Sequence, residues 1–366
     1  MSAPRVLLSA VALAQPMGGV VRHNRELLPR LAALLAERGG HLALMEGREP
    51  PAFELPDEIE RLPSSVPPRP AFARAAAEGR ALRAHLAAAA ARGAPFDLVH
   101  TAHLPAPRTP GTPYTLTLHD LKSLSPVARP LAQRLFGRAV IGDAVRRAAL
   151  VLVVSEALGR ELRAHFELDP ERVRVVPNAG GHLEVQARAA GNAMLYVGHV
   201  EPRKNIEVVL RALALDRELP ELLIAGAERG EEGERLRALA AALGVRSRVR
   251  FLGHQADDAL AHQYAAARCV VLPSQREGFG IPILEAQRAR APLAVADLPA
   301  LVEVAGDDVP RFPPTDAEAC ARALRRALET DSGTLERHAQ RAARFDWDRS
   351  AELWLAALEA ARAQGS

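Results

Sequence analysis

Short apolar runs recur along this chain, and each gives way to a glycine or a charged residue and then to a stretch of helical period. Residues 6–12, 41–45, 97–101, 114–118, 150–154 and 172–176 have the length and composition of buried strands. Helical patterns over 20–38, 72–91 and 129–148 separate them, whereas 46–70, rich in proline and charge, reads as a long loop and 105–113 as a turn-rich connector. The stretch 180–192 lacks periodicity and predicts an interdomain linker. Beyond it, strands at 193–197, 221–225, 249–252, 269–273 and 293–296 and helices at 205–213, 316–328, 334–343 and 349–362 repeat the alternation. Strand followed by helix throughout both halves predicts α/β architecture: two doubly wound parallel-sheet, Rossmann-like domains facing across a cleft. The boundaries expected are 1–180 and 181–348, with the last helix (349–366) packing back on the first domain.

A chain of 366 residues is long enough for two cores. Arg5, the apolar run after it and Ala12-Leu13-Ala14 imitate a secretory signal, but cleavage would remove the strand that positions Gly18-Gly19, so the run reads as the first strand. No apolar stretch is long enough to span a bilayer. Two cysteines, Cys269 and Cys320, give no disulfide framework and suit a reducing compartment. A net charge of +3 argues against a nucleic-acid partner. Lysine occurs only at Lys122 and Lys204 among 47 basic residues, so a lysine inside a motif stands out.

The richest stretch is Ser274-Gln275-Arg276-Glu277-Gly278-Phe279-Gly280-Ile281-Pro282-Ile283-Leu284-Glu285. A buried strand precedes it, and Pro282 suits the first turn of a helix. Gly278 and Gly280 let backbone approach a ligand, and the free N–H groups of the new helix favour an anion. Glu277 and Glu285 read as one carboxylate in the loop and one in the first helical turn; each accepts bonds from vicinal hydroxyls, or merely complements a solvated loop and a helix dipole. Arg203 and Lys204, at a strand end and helix start, suit a diphosphate.

In the first half, Gly18-Gly19 with Arg22 nearby reads either as a phosphate- or sugar-holding turn or as a plain tight turn, and G-x-G-x-x-G is absent. His119-Asp120 falls at the carboxyl end of the 114–118 strand, where ligands bind in open sheets. His100 and His103 have metal-ligand spacing but no carboxylate or thiolate near them in sequence, which argues against zinc. Asp346-Trp347-Asp348 is a D-x-D that reads as a helix cap and first-turn acid. The arginines of 129–148 face either solvent or anionic lipid.

Glu277 to Glu285, with the intervening EGFG-x-P-x-LE, resembles the E-x7-E signature of the group 1 family of retaining, nucleotide-sugar-dependent glycosyltransferases. Gly198 to Asn205 is similar to that family's G-x-x-EPRKN box, Gly18-Gly19 to its GG-x-x-R opening, 117–121 to T-x-HDL and 175–178 to VVPN. The resemblance implies the glycosyltransferase B fold and transfer of a sugar from a nucleoside diphosphate to an acceptor hydroxyl. It implies catalytic roles for His119, Arg203, Lys204 and Glu277, with Arg203 and Lys204 on the diphosphate, Glu277 on the donor sugar and Glu285 on the ribose. Gly18, Gly19, Gly278, Phe279, Gly280 and His254 complete the donor contacts. Many members carry arginine directly after the glycine where this chain has His199, which leaves open whether Arg203 or His199 makes the second phosphate contact. The EPRKN variant suggests GDP-mannose. With cations in place of a carboxylate pair, no metal is expected. A cytoplasmic enzyme at the inner face of the membrane, using a glycan, lipid-linked or small-molecule acceptor, is the resulting expectation. A non-catalytic nucleotide-sugar-binding protein and a sugar-nucleotide epimerase are the alternatives.

Overall fold

The computed structural model describes residues 3–14, 18–109, 111–124, 130–184, 186, 188–189 and 191–365. It divides into two compact units, Met1–Asn178 with Trp347–Ser366, and Ala179–Asp346.

The first unit is built on strands β1 (Arg5–Ser9), β2 (His41–Met45), β3 (Glu60–Leu62), β4 (Leu98–Thr101), β5 (Tyr114–Leu118), β6 (Leu150–Val153) and β7 (Val173–Val175), with helices α1 (Gly19–Glu37), α2 (Ala71–Ala91), α3 (Leu131–Arg147) and α4 (Glu156–Phe166). The strands run parallel in the order β3-β2-β1-β4-β5-β6-β7. Val6, Leu7 and Leu8 are fully buried, as befits a central strand covered by helices on both faces. Ser155 caps α4 by accepting from Leu158 N at 3.1 Å.

The second unit contains β8 (Ala193–Val197), β9 (Glu221–Ala225), β10 (Val249–Gly253), β11 (Cys269–Leu272), β12 (Leu293–Ala296) and β13 (Arg311–Phe312) in the parallel order β10-β9-β8-β11-β12-β13. Its helices are α5 (Ile206–Leu215), α6 (Glu232–Ala242), α7 (Asp257–Ala266), α8 (Ile281–Arg288), α9 (Pro299–Ala305), α10 (Ala317–Leu328) and α11 (Ser332–Ala342). The chain then re-enters the first unit as α12 (Trp347–Gly365), which packs on α1 and against β4, β5 and β6, burying Trp347 and Trp354. Strand order reverses between β1 and β4 and between β8 and β11, and such switch points are where open α/β sheets bind ligands.

Several elements differ from the sequence pattern. The first strand stops at Ser9, and Val11–Ala14 forms a 3-10 turn, since Leu13 N bonds back to Ala10 O. The 46–70 loop contributes the edge strand β3. After β12, where the sequence pattern gave no helix, Asp297-Leu298 leads into α9, with Pro299 at its first position. The helices α6 and α7 follow β9 and β10, where the pattern gave none. Described parts of the 180–192 stretch contain no strand or helix; there Arg188 clamps the end of α7 by donating to the carbonyls of Tyr264, Ala265 and Ala267. Pro110 of the 105–113 connector and Arg129 at the start of the 129–148 helical stretch lie outside the described residues, as do Pro16 and Met17 ahead of Gly18.

Candidate active site

In the second unit the loops after β8 and β11, neighbours at the switch point, are tied into one surface. Pro202–Lys204 is a 3-10 turn, and Asn205 takes a left-handed conformation (φ 56°) to start α5. Asn205 Nδ2 donates to Pro273 O at 3.0 Å and Pro314 O at 2.7 Å, and Gln275 N donates to Arg203 O at 2.9 Å. These bonds carry Lys204 Nζ to 2.5 Å from Glu277 Oε1, while Arg203 lies 3.5 Å from Glu277 Oε2 and 2.6 Å from Glu201. Ser274 Oγ donates to Glu277 Oε1 at 2.8 Å. Burial, the largest single influence on Glu277, pushes its carboxyl up. Lys204, Arg203 and the bonds from Lys204 and Ser274 outweigh it and hold the group below its ordinary range. The result is a site of two cations around one carboxylate.

Glu285 lies in the second turn of α8, five residues into the helix and not in its first turn as the spacing suggested. Tyr264 Oη donates to one carboxylate oxygen, and His182 Nε2 lies 3.0 Å from the other. Its side chain is only 7% exposed, so this carboxylate is held in a fixed orientation. Gly280, at φ 101°, begins the helix where a Cβ would meet Leu301 at 2.8 Å. The Phe279 side chain turns into the core edge-on to Phe345, with ring centroids 5.7 Å apart, which leaves its backbone for any ligand contact. Adjacent strand ends carry glycines at positive φ, Gly198 after β8, Gly226 after β9 and Gly253 closing β10, and His254 beyond the last is exposed.

In the first unit His119 follows β5. Its ring meets His23 edge-on at 4.7 Å, and its Nε2 is buried without a hydrogen-bond partner. Burial above all, then His23, His100 and Lys122, push His119 well below its ordinary value, so it is a neutral imidazole at pH 7. His23 Nδ1 bonds to Asn178 Oδ1 at 2.8 Å, which ties α1 to the end of the first half of the chain. Gly18 caps α1 at φ 53° and is exposed with Gly19, while Arg22 pairs with Glu26 at 3.6 Å along the helix.

One sequence inference needs correcting here. His103 does have a carboxylate neighbour: α2 brings Glu78 to 2.9 Å from its Nε2, and Glu78 also bonds Ser9 at the end of β1. His100 turns to Thr115 and Thr117 instead, at 2.8 and 3.2 Å, so the two histidines serve separate networks. Asp348 of the D-x-D pairs with Arg30 of α1 at 2.7 Å. Both cysteines are buried, which pushes the Cys269 thiol up to about 12 and raises Cys320 as well, so neither is a thiolate at neutral pH.

Two family models match: "Glycosyl transferases group 1" over residues 184–345 and "Glycosyltransferase Family 4" over 17–179. The chain belongs to the group 1 glycosyltransferase family. Among curated relatives of this group 1 chain, O-antigen chain mannosyltransferase B of Escherichia coli is 29% identical over 63% of this chain and 66% of its own. D-inositol 3-phosphate glycosyltransferase of Salinispora tropica is 33% identical over 66% of this chain and 57% of its own. The matched stretches thus span less than two thirds of these relatives. Sucrose-phosphate synthase from Thermosynechococcus elongatus, a solved structure, is 23% identical with a TM-score of 0.77, covering 95% of this chain and 96% of that one, and shows the shared fold. The fold is that of the glycosyltransferase B proteins, two parallel-sheet α/β domains. Arg203, Lys204 and Glu277 converge in one loop cluster, with Glu285 in the helix that follows. Residues the motifs did not indicate are Tyr264 and His182, which fix Glu285, and Ser274, which fixes Glu277. Only Ser274, inside the motif, left a signal in the sequence.

Proposed function

We propose that the protein is a retaining glycosyltransferase that moves a sugar, with mannose from GDP-mannose as first candidate, from a nucleoside diphosphate sugar to an acceptor hydroxyl in glycan or polysaccharide biosynthesis. The observation that carries this reading is the pairing of Lys204 and Arg203 with Glu277 at the β8–β11 switch point. Bond cleavage at the anomeric carbon leaves its electron pair on the diphosphate, and fixed cations beside that oxygen lower the barrier where charge develops. Glu277 would accept from donor-sugar hydroxyls, and the fixed Glu285 carboxylate from the ribose diol. His119, neutral and with a buried unpartnered Nε2, would hydrogen-bond a substrate hydroxyl and add no charge. The acceptor proton would pass to the departing phosphate on the same face. Fixed cations serve in this reading in place of a metal ion.

The test is release of nucleoside diphosphate from a panel of nucleotide sugars, with and without acceptor, in excess EDTA. Acceptor-dependent release of GDP from GDP-mannose is expected. Binding without release would favour a non-catalytic nucleotide-sugar-binding protein, conversion of the sugar without release would favour an epimerase, and preference for a UDP-sugar would overturn the mannose assignment.

We further propose peripheral contact with an anionic membrane, placing the enzyme at its cytoplasmic face. No helix among the described residues is long and apolar enough to cross a membrane. On α3, Leu131, Leu135 and Phe136 are 64, 60 and 56% exposed, and the ring of Phe72 on α2, 52% exposed, lies tilted against Phe136 with centroids 5.3 Å apart. Arg134 and Arg138 lie on the same helix, and an apolar patch beside arginines suits an anionic bilayer surface. Co-sedimentation with phosphatidylglycerol vesicles, lost in Leu135→Glu/Phe136→Glu and weak with phosphatidylcholine alone, is the expected result. No sedimentation with either vesicle sinks the proposal.

A further inference from the structure

We propose that the groove in the loop after β2 is a binding subsite for a glycan acceptor, holding an uncharged pyranose several sugars away from the hydroxyl that receives the transferred group. This rests on the reading of His119 given above, beside a substrate hydroxyl. The groove measures about 690 Å³, within the ~300–1,000 Å³ usual for small-ligand sites, and Pro51, Phe53, Glu54, Pro56, Asp57 and Arg61 line it. It belongs to the ligand-binding edge of the first sheet, because Ala52 N donates at 2.9 Å to Leu13 O in the 3-10 turn that leaves β1.

The loop is tied in place. At its root Arg48 N donates to Val66 O at 2.8 Å and Ser64 Oγ to Glu46 O at 2.6 Å, a packing so close that a Cβ on Gly47 would meet Val66 O at 2.8 Å. Farther out, Arg61 Nη2 donates to Leu55 O at 3.2 Å. Pro50, Pro51 and Pro56 each fix φ, which lowers the cost of ordering the loop around a ligand.

The lining selects the occupant. Phe53 is half-buried, and the negative face of an aromatic ring attracts the polarised C–H bonds on one side of a pyranose. Glu54 and Asp57 are exposed and, among the described residues, their side chains have no hydrogen-bond or ion-pair partner, so their oxygens accept from sugar hydroxyls. Residues 49–61 carry five acidic groups against Arg61 alone, and Arg61 already pairs with Glu46 at 3.7 Å. Such a rim repels a phosphate or an acidic sugar and admits a neutral one. In the sheet β2 lies three places from β5, whose end carries His119; at the usual strand spacing that is roughly 14 Å, a gap that a chain of several sugars covers and a single sugar does not.

Saturation-transfer NMR of the intact protein with mannotriose, maltotriose and chitotriose, and with sialyllactose as the acidic counterpart, tests the subsite, beside calorimetry with GDP and UDP. A neutral trisaccharide is expected to bind, with transfer concentrated on the C–H protons of one ring face, and sialyllactose to bind more weakly. Phe53→Ala should weaken that trisaccharide about 10-fold through lost apolar contact. Glu54→Gln/Asp57→Asn should weaken it about 10-fold through weaker hydrogen bonds. Both variants should keep the thermal unfolding and the nucleotide affinity of wild type. If none of the neutral trisaccharides binds, if sialyllactose binds equally well, or if both variants bind the trisaccharide like wild type, the groove is not this subsite; nucleoside diphosphate binding in wild type then leaves the donor reading standing. Trisaccharide binding that depends on Phe53 in a protein that binds neither GDP nor UDP would uphold the subsite and remove the donor reading.

Discussion

Lys204→Ala is expected to lower turnover about 10²- to 10³-fold, the loss typical of deleting one group that stabilises charge as it develops. Lys204 Nζ lies 2.5 Å from Glu277 and the side chain is 16% exposed, so its ammonium is fixed and only partly hydrated. Alanine also removes the closest partner of Glu277, leaving a 12% exposed carboxylate with Arg203 at 3.5 Å and Ser274. Two losses are therefore mixed in the single variant: transition-state charge and the desolvation cost of a half-paired carboxylate. Lys204→Ala/Glu277→Gln separates them, because removing both charges should recover thermal stability without recovering rate. Steady-state nucleoside diphosphate release at saturating donor, in excess EDTA, is the measurement. Turnover within threefold of wild type, or a rate abolished by chelation and restored by magnesium, would contradict the assignment of Lys204.

The second large effect is acid lability of the first unit. Burial first, and neighbouring histidines for His100, depress His23 to about 4 and His100 to about 3 from an ordinary 6.5, and His119 is lowered as well. Below pH 6.5 the unfolded chain takes up protons that the folded unit refuses, so stability is present above that pH and falls as pH falls toward the folded values. Between pH 7 and pH 5 this amounts to ~2 kcal/mol each for His23 and His100. Carboxylates held low, such as Glu78 and Glu277, act mainly beneath their ordinary value of 4.5 and leave this window to the histidines. The chain has two tryptophans, Trp347 and Trp354, both buried in α12, so tryptophan fluorescence excited beyond the tyrosine band reports this unit. The urea midpoint followed by fluorescence should drop steeply from pH 7 to pH 5. A midpoint constant over that range would show that these rings are not held neutral by the fold.

Much of the molecule could be read from the chain because the signals are local. Alternating apolar runs and helical periods mark both sheets, and side-chain oxygens three residues ahead of a backbone N–H cap helices at Ser155, Asp316 and Asp331. Glu277, Gly280 and Glu285 lie within one loop and helix, so spacing alone gives their grouping, whereas Lys204, 73 residues from Glu277, joined them only through the family resemblance. Tertiary structure decided the partners. Tyr264 and His182 reach Glu285 from α7 and from an aperiodic stretch, Glu78 reaches His103 from α2, and Arg229 reaches His199 across two glycines. None of these pairs shares an element, and a hydrogen bond between elements depends on strand order and crossover geometry, which no local pattern encodes. The sequence by itself determined which groups carry charge and where most of the strands lie; only the packed sheets decided which charges meet, because parallel order places chain-distant strand ends side by side.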